Sequence, residues 1–126
     1  MQMTEKRTEQ LFIRSKIWIE DEGGNVVFGL GRLKILEAIH RLGSLKAAAK
    51  ELKMSYRALW GRIKATEERL GFPLIVCSKG GASGGGSQLM PFALELVEQF
   101  RQLHKNVVVQ SDELFEKGRE YRKHTL

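Results

Sequence analysis

The sequence predicts a mainly α fold with a small β component: a winged helix-turn-helix with an N-terminal β-hairpin and a long C-terminal dimerisation helix. Three observations predict it. A short alanine-rich helical run and a basic helical run follow one another across a tight turn, each opened by a serine. A tip holding five glycines then lies between two short β-prone runs. Last comes an apolar series at heptad spacing from Ala93 to Leu114. With 126 residues, 42% of them hydrophobic, the chain can bury one ordinary core.

The elements follow in order. Met1 to Gln10 is polar and charged, and the domain layout sets 1–11 aside as a polar lead. From Phe12 to Glu20 the pattern alternates, with Ile13, Ile17 and Ile19 on one face and Arg14, Lys16, Trp18 and Glu20 on the other, the period of a half-buried strand. Asp21-Glu22-Gly23-Gly24 turns the chain into Asn25–Phe28, so the two runs read as a hairpin. From Gly31, Leu33, Leu36, Ile39 and Leu42 recur at helical spacing, and Gly43 ends the helix at a position suited to positive φ. Ser44 caps a short second helix, Leu45 to Leu52, whose small residues Ala47, Ala48 and Ala49 permit a close crossing. Ser55 caps a third, Tyr56 to Leu70, closed by Gly71. Phe72–Cys77 and Gln88–Met90 are the strands of a wing whose tip spans 79–87, which completes a domain over 12–90. Pro91 suits a first helical position, and the last region, 91–126, reads as one long helix to about Tyr121. The β-branched run Val107–Val109 lowers helix propensity and allows a break there.

Charge is unevenly spread. The formal net charge is +6, yet Gly31–Lys64 alone holds nine basic residues against Glu37 and Glu51. So concentrated a basic segment is the electrostatic footprint of a phosphate-binding surface. No apolar run approaches the roughly 20 residues that span a bilayer, so no membrane is expected. One cysteine, Cys77, excludes an intramolecular disulfide framework and, with the polar start, points to the cytoplasm. His40, His104 and His124 share no metal-ligand spacing, and the glycine-rich tip lacks the Gly-Lys-Ser/Thr ending of a P-loop. No enzyme, cofactor or metal is expected.

Two helices joined by a tight turn, the second basic, make a helix-turn-helix whose second helix presents its N-terminal side chains to base edges in the major groove. Those residues are Ser55, Tyr56, Arg57 and, one turn on, Arg62, expected as base contacts. Arg57 leads because a guanidinium can bond O6 and N7 of guanine together. Lys46, Lys50 and Lys64 are expected on phosphates, as is Lys79 at the wing, where flanking glycines allow close approach; Arg62, set among the base contacts by its place on the helix, is as a residue the more plausible on a phosphate. Trp60 is expected in the core, while for Tyr56 core and DNA weigh equally. The heptad positions Ala93, Leu96, Phe100, Leu103 and Val107 are expected at a homodimer interface, with Gln110 a polar break in the seam. The expected partners are double-stranded DNA and a second copy of the chain, in a sequence-specific regulator. The alternatives are an interaction module that joins a larger regulator through the long helix, and an architectural DNA-binding protein without a preferred site.

The series Gly31-Arg32-Leu33, Gly43-Ser44-Leu45, Ala47-Ala48-Ala49-Lys50-Glu51-Leu52, Met54-Ser55-Tyr56-Arg57, Trp60 and the Gly-Gly-x-x-Gly-Gly-Gly wing resembles the N-terminal DNA-binding domain of the ModE family of molybdate-responsive regulators, itself related to the LysR-type domain. The resemblance covers roughly Ile13 to Phe100. It implies a cytoplasmic prokaryotic regulator, dimeric through its long helices, on a partly palindromic operator. Family members that sense molybdate carry C-terminal oxyanion-binding modules, for which a chain ending at Leu126 leaves no room, so molybdate binding is not part of the expectation. Three positions depart from the family pattern: Cys77-Ser78 where arginines precede the wing, Gly61 where an acidic residue is frequent, and Met90-Pro91 where Thr-Pro opens the last helix.

Overall fold

The computed structural model describes residues 10–78 and 86–125, with side chains to Glu120. The lead Met1–Glu9, Lys79 and the wing tip through Gly85 lie outside the described residues. The element order is β1 (Trp18–Glu20), β2 (Val26–Gly29), α1 (Leu30–Leu42), α2 (Leu45–Glu51), α3 (Tyr56–Leu70), β3 (Ile75–Ser78), β4 (Gly86–Leu89) and α4 (Pro91–Thr125). The mainly α fold with two small antiparallel sheets, a wing and a long last helix is the predicted class. Two compact units are seen: one is Ile17–Arg101, the other the described parts of Met1–Lys16 and Gln102–Leu126. The expected boundary at Pro91 is not where they divide, because the first turns of α4 complete the core of the first unit.

That core is assembled from every element of the unit except β1, whose three residues are exposed. Phe28 of β2, Leu36 and Ile39 of α1, Ala48 of α2, Leu59 of α3, Leu74 and Ala93 are each 2% exposed or less. Phe100 is equally buried and meets Phe28 edge to face, ring centroids 5.2 Å apart, the orientation that aromatic quadrupoles favour. Side chains of this size each contribute about 1.5–3 kcal/mol on burial. Ala48 and Ala49 are buried where α2 packs against its neighbours, which is why the run is alanine.

The turns carry local reasons. Gly43 and Gly71 stand at φ +67° and +78° after α1 and α3, each amide bonded to the carbonyl four residues back. The Ser44 and Ser55 hydroxyls accept from the amides of Ala47 and Ala58, at 3.1 and 3.0 Å. In the β1–β2 turn Asp21 Oδ1 accepts from the amides of Gly23 and Asn25, at 2.9 and 3.0 Å. The Asn25 amide is the chief cause that holds the Asp21 carboxyl below its ordinary 3.8. The wing root is tied to the helices: the Ser87 amide donates to the Gly43 carbonyl at 2.9 Å, and that of Met90 to Leu74 O at 2.8 Å.

Three expectations are corrected. The strand expected over Phe12–Glu20 reduces to Trp18–Glu20, since β2 offers four residues to pair with and Phe12–Ile17 has no partner strand among the described residues. The wing strands are shifted to Ile75–Ser78 and Gly86–Leu89, paired Ile75↔Leu89 through Ser78↔Gly86. Ala93 and Phe100, expected at a dimer interface, are 0% and 2% exposed in their own unit, and Leu96 packs partly buried against the same core. Their spacing marks a face that must be covered, and the first turns of α4 are covered by this chain. The helix also continues through Val107–Val109 without a break.

Phe100→Ala is expected to destabilise the unit by about 3–5 kcal/mol in chemical unfolding while leaving the sedimenting mass unchanged; loss of self-association without loss of stability would return Phe100 to the interface. Because the Asp21 pKa is depressed in the fold, its stabilisation is present above 3.8 and is lost as pH falls through the lower folded value. The Asn25 amide resonance is therefore expected to titrate with a midpoint below 3.8, and not at all in Asp21→Asn.

Candidate nucleic-acid interface

The helix-turn-helix consists of α2, the turn 52–55 and α3. The turn is held by the Met54 amide on Ala49 O (2.9 Å) and the Lys53 amide on Lys50 O (3.2 Å). Lys53 is the single non-glycine residue at positive φ among the described residues, at +57°. A side chain pays for that conformation, and here it adds a cation at the mouth of the turn.

At 100° per residue, α3 divides cleanly. Leu59, Ile63 and Thr66 are buried, and Gly61 stands roughly opposite them, flanked by Arg57 and Lys64 on one side and by Ala58 and Ala65 on the other. Arg57, Gly61, Arg62 and Lys64 are all exposed. Tyr56 is 49% exposed, so it belongs to the outer surface. Trp60 is half-buried against the core, as expected. The exposed side is cationic or neutral over its first three turns and acidic only from Glu67–Glu68 onward.

The expected contact residues fall into groups. Ser55 is a cap: its Oγ accepts from Ala58, which leaves its hydroxyl proton and one lone pair to offer. Among the described residues Arg57, Arg62, Lys46, Lys50 and Lys53 make no ion pair. Lys64 is held differently, with Nζ 3.2 Å from Glu67 Oε1 and 4.5 Å from the Trp60 ring centroid; an ammonium so placed has less to give a phosphate. Glu67 is in turn fixed by the Leu74 amide at 2.7 Å.

One network escaped the sequence reading. Arg32 of α1 donates from Nε to Thr66 Oγ1 at 2.8 Å, and the buried Thr66 hydroxyl donates to Arg62 O at 2.9 Å. Partial burial, followed by the nearby charges of Arg69 and Arg62, pushes the Arg32 guanidinium below its ordinary value. Arg69 reaches the Val26 carbonyl. These arginines flank α3 along one side, and no local pattern links residues 34 positions apart.

A groove lined by Lys34, Glu37, His40, Arg41, Glu51 and Arg101 is a less promising site. Its charges answer one another, Arg41 to Glu51 and Arg101 to Glu37. The Glu51 carboxyl is accordingly held low, chiefly by the Arg41 hydrogen bond. Among the described residues no cluster of histidine, cysteine and acidic side chains could hold a metal. No helix among them is long and apolar enough to cross a membrane. Cys77 is exposed, with Sγ 3.6 Å from Ser87 Oγ.

Residues 30–83 match the family described as bacterial regulatory helix-turn-helix protein, lysR family. Over 79 residues, 63% of its length, the chain is 35% identical to the molybdenum-pterin-binding protein MopB of Rhodobacter capsulatus, of which it covers 29%. Over 72 residues, 57% of its length, it is 40% identical to the molybdenum transport protein ModE of Azotobacter vinelandii, of which it covers 27%. The chain therefore spans under a third of these curated relatives. In fold it is similar to a crystal structure of a CbnR_DBD–DNA complex, with a TM-score of 0.55 at 22% identity over 72% of this chain and 99% of that one.

Proposed function

We propose, from the premise that residues 30–83 form a lysR-family helix-turn-helix domain, that this chain is a sequence-specific DNA-binding regulator of transcription. The observation that carries the reading is the exposed side of α3: Tyr56, Arg57 and Arg62 stand exposed, and among the described residues neither arginine forms an ion pair. Arg57 and Tyr56 are assigned to base edges. Lys46, Lys50 and Lys53, around the turn, are assigned to phosphates, which supply register and salt-dependent affinity. Arg62 serves either role, and Lys79 stays assigned to a phosphate at the wing. This role belongs with chromosomal DNA, in the cytoplasm of a prokaryote. It assigns no catalysis and no molybdenum to this chain.

A homodimer is the second part of the proposal, moved along α4 from where the sequence put it. Leu103 is 48% exposed, Val109 45% and Leu114 65%. Leu103, Val107, Gln110 and Leu114 follow heptad spacing beyond the part of the helix that serves its own core. An apolar seam left open on a long helix supports pairing with a second copy. The competing reading, an interaction module that joins a larger regulator, uses the same seam.

Selection of duplexes from a random library at physiological salt tests the first part. An enriched inverted repeat, its half-sites about one helical turn apart, is expected; binding without enrichment would make the protein architectural. On the selected duplex Arg57→Ala is expected to lose about 1–3 kcal/mol of discrimination, with affinity for unrelated duplexes little changed. Lys50→Ala is expected to weaken all sequences alike and to lower the salt slope by about one. For the dimer, Leu103→Glu is expected to sediment as a monomer; an unchanged dimer would remove this seam from the interface.

A further inference from the structure

Gly61 is a glycine without an internal reason. It sits in the interior of α3, sixth of 15 residues, where glycine is less stable than alanine. Its φ is not positive: the described positive-φ glycines are Gly24, Gly43 and Gly71. A Cβ built on it would meet nothing within 4 Å. Neither conformation nor packing within the chain excludes a side chain there. Gly31 and Gly118 are similarly open, but neither lies on α3. Gly61 also lies on the exposed side of the helix, roughly opposite the buried residues, with Arg57 a turn before it and exposed Ala58 beside it.

We propose that Gly61 is a specificity-determining position, kept bare so that α3 can lie against the 5-methyl group of a thymine on the major-groove floor. This rests on the DNA-binding reading above and names the base it adds to that site. Of the groups on major-groove edges, the thymine methyl is the one that asks for space and apolar contact rather than a donor or acceptor. The surface around Gly61 offers that: backbone and the Ala58 methyl, with no polar side chain of its own. Arg57, a turn away, then reads a neighbouring base pair, so that one arm of the recognition is polar and the other steric.

The test compares Gly61→Ala with the unaltered chain, on the selected duplex and on an unrelated one. Glycine's cost to the helix predicts a higher thermal midpoint for the variant. The steric role predicts a loss of about tenfold or more on the selected duplex and no change on the unrelated one. Thymines of the selected duplex are then replaced one at a time by deoxyuridine, which lacks the methyl. At one base pair the replacement is expected to restore binding by the variant. Unchanged affinity, an equal loss on both duplexes, a lower thermal midpoint, or a loss that no deoxyuridine restores would each overturn the role of Gly61. If the unaltered chain itself enriches no duplex, the DNA-binding reading falls and this inference with it, a result distinct from the other four.

Discussion

The contact of Phe28 with Phe100 joins the two ends of the helix-turn-helix unit. One ring comes from the hairpin strand before α1, the other from the third turn of the last helix, and both are buried. The inner faces of α1, α2 and α3 belong to the same core, so the cationic outer face of α3 is only as well placed as this interior is well filled. Interiors packed at crystal density transmit such requirements, because a displaced ring leaves a void that neighbours fill only by moving. The wing depends on the same frame through backbone bonds rather than side chains: Ser87 is hydrogen-bonded to Gly43, where α1 ends. A helix, a turn and a strand are thereby aligned by one core and one short bond.

Charge on this unit is divided between pairs and free groups, and the division follows the fold. Around the groove beside α1, arginines face carboxylates: Arg41 with Glu51, Arg101 with Glu37 and Glu98. These exposed pairs add little stability, but they cancel charge on that side. The cations of α2, the turn and the first half of α3 have no such partners among the described residues, so the field of the net positive segment emerges there. Arg32 is intermediate, held by Thr66 and crowded by two other arginines.

What the sequence made legible was whatever is decided within a few residues. The third helix was expected at Tyr56–Leu70 and is found there, because a serine cap, an apolar period and a C-terminal glycine are all local. The same holds for Ser44, Gly43 and the first residue of α4. What it did not show depended on partners far along the chain. The alternation of Phe12–Glu20 announces a strand, but β2 is four residues long and decides how much of it pairs. Ala93 and Phe100 announce a buried face, yet only the packed unit reveals that Phe28, not a second chain, buries Phe100. At the candidate site, Arg57 was visible as a residue type at a known position in the motif. The Arg32–Thr66–Arg62 connection joins two helices through residues 34 positions apart and has no periodicity to betray it.

Two residues on the outer surface break the local rules that the rest of the unit obeys. Lys53 takes a left-handed conformation that glycine or asparagine would hold more easily, and Gly61 occupies a helix interior where alanine would serve the helix better. The exchange is reciprocal: the turn carries a side chain where none is wanted, and the helix lacks one where it would be tolerated. Neither choice improves the fold, and both lie in the stretch that bears the unpaired cations. Local sequence that opposes the structure it forms is expected where another requirement has won. Here the turn gains a charge and the helix gains proximity, the two quantities that a surface facing a polyanionic groove can use, phosphates at its edges and base edges at its floor.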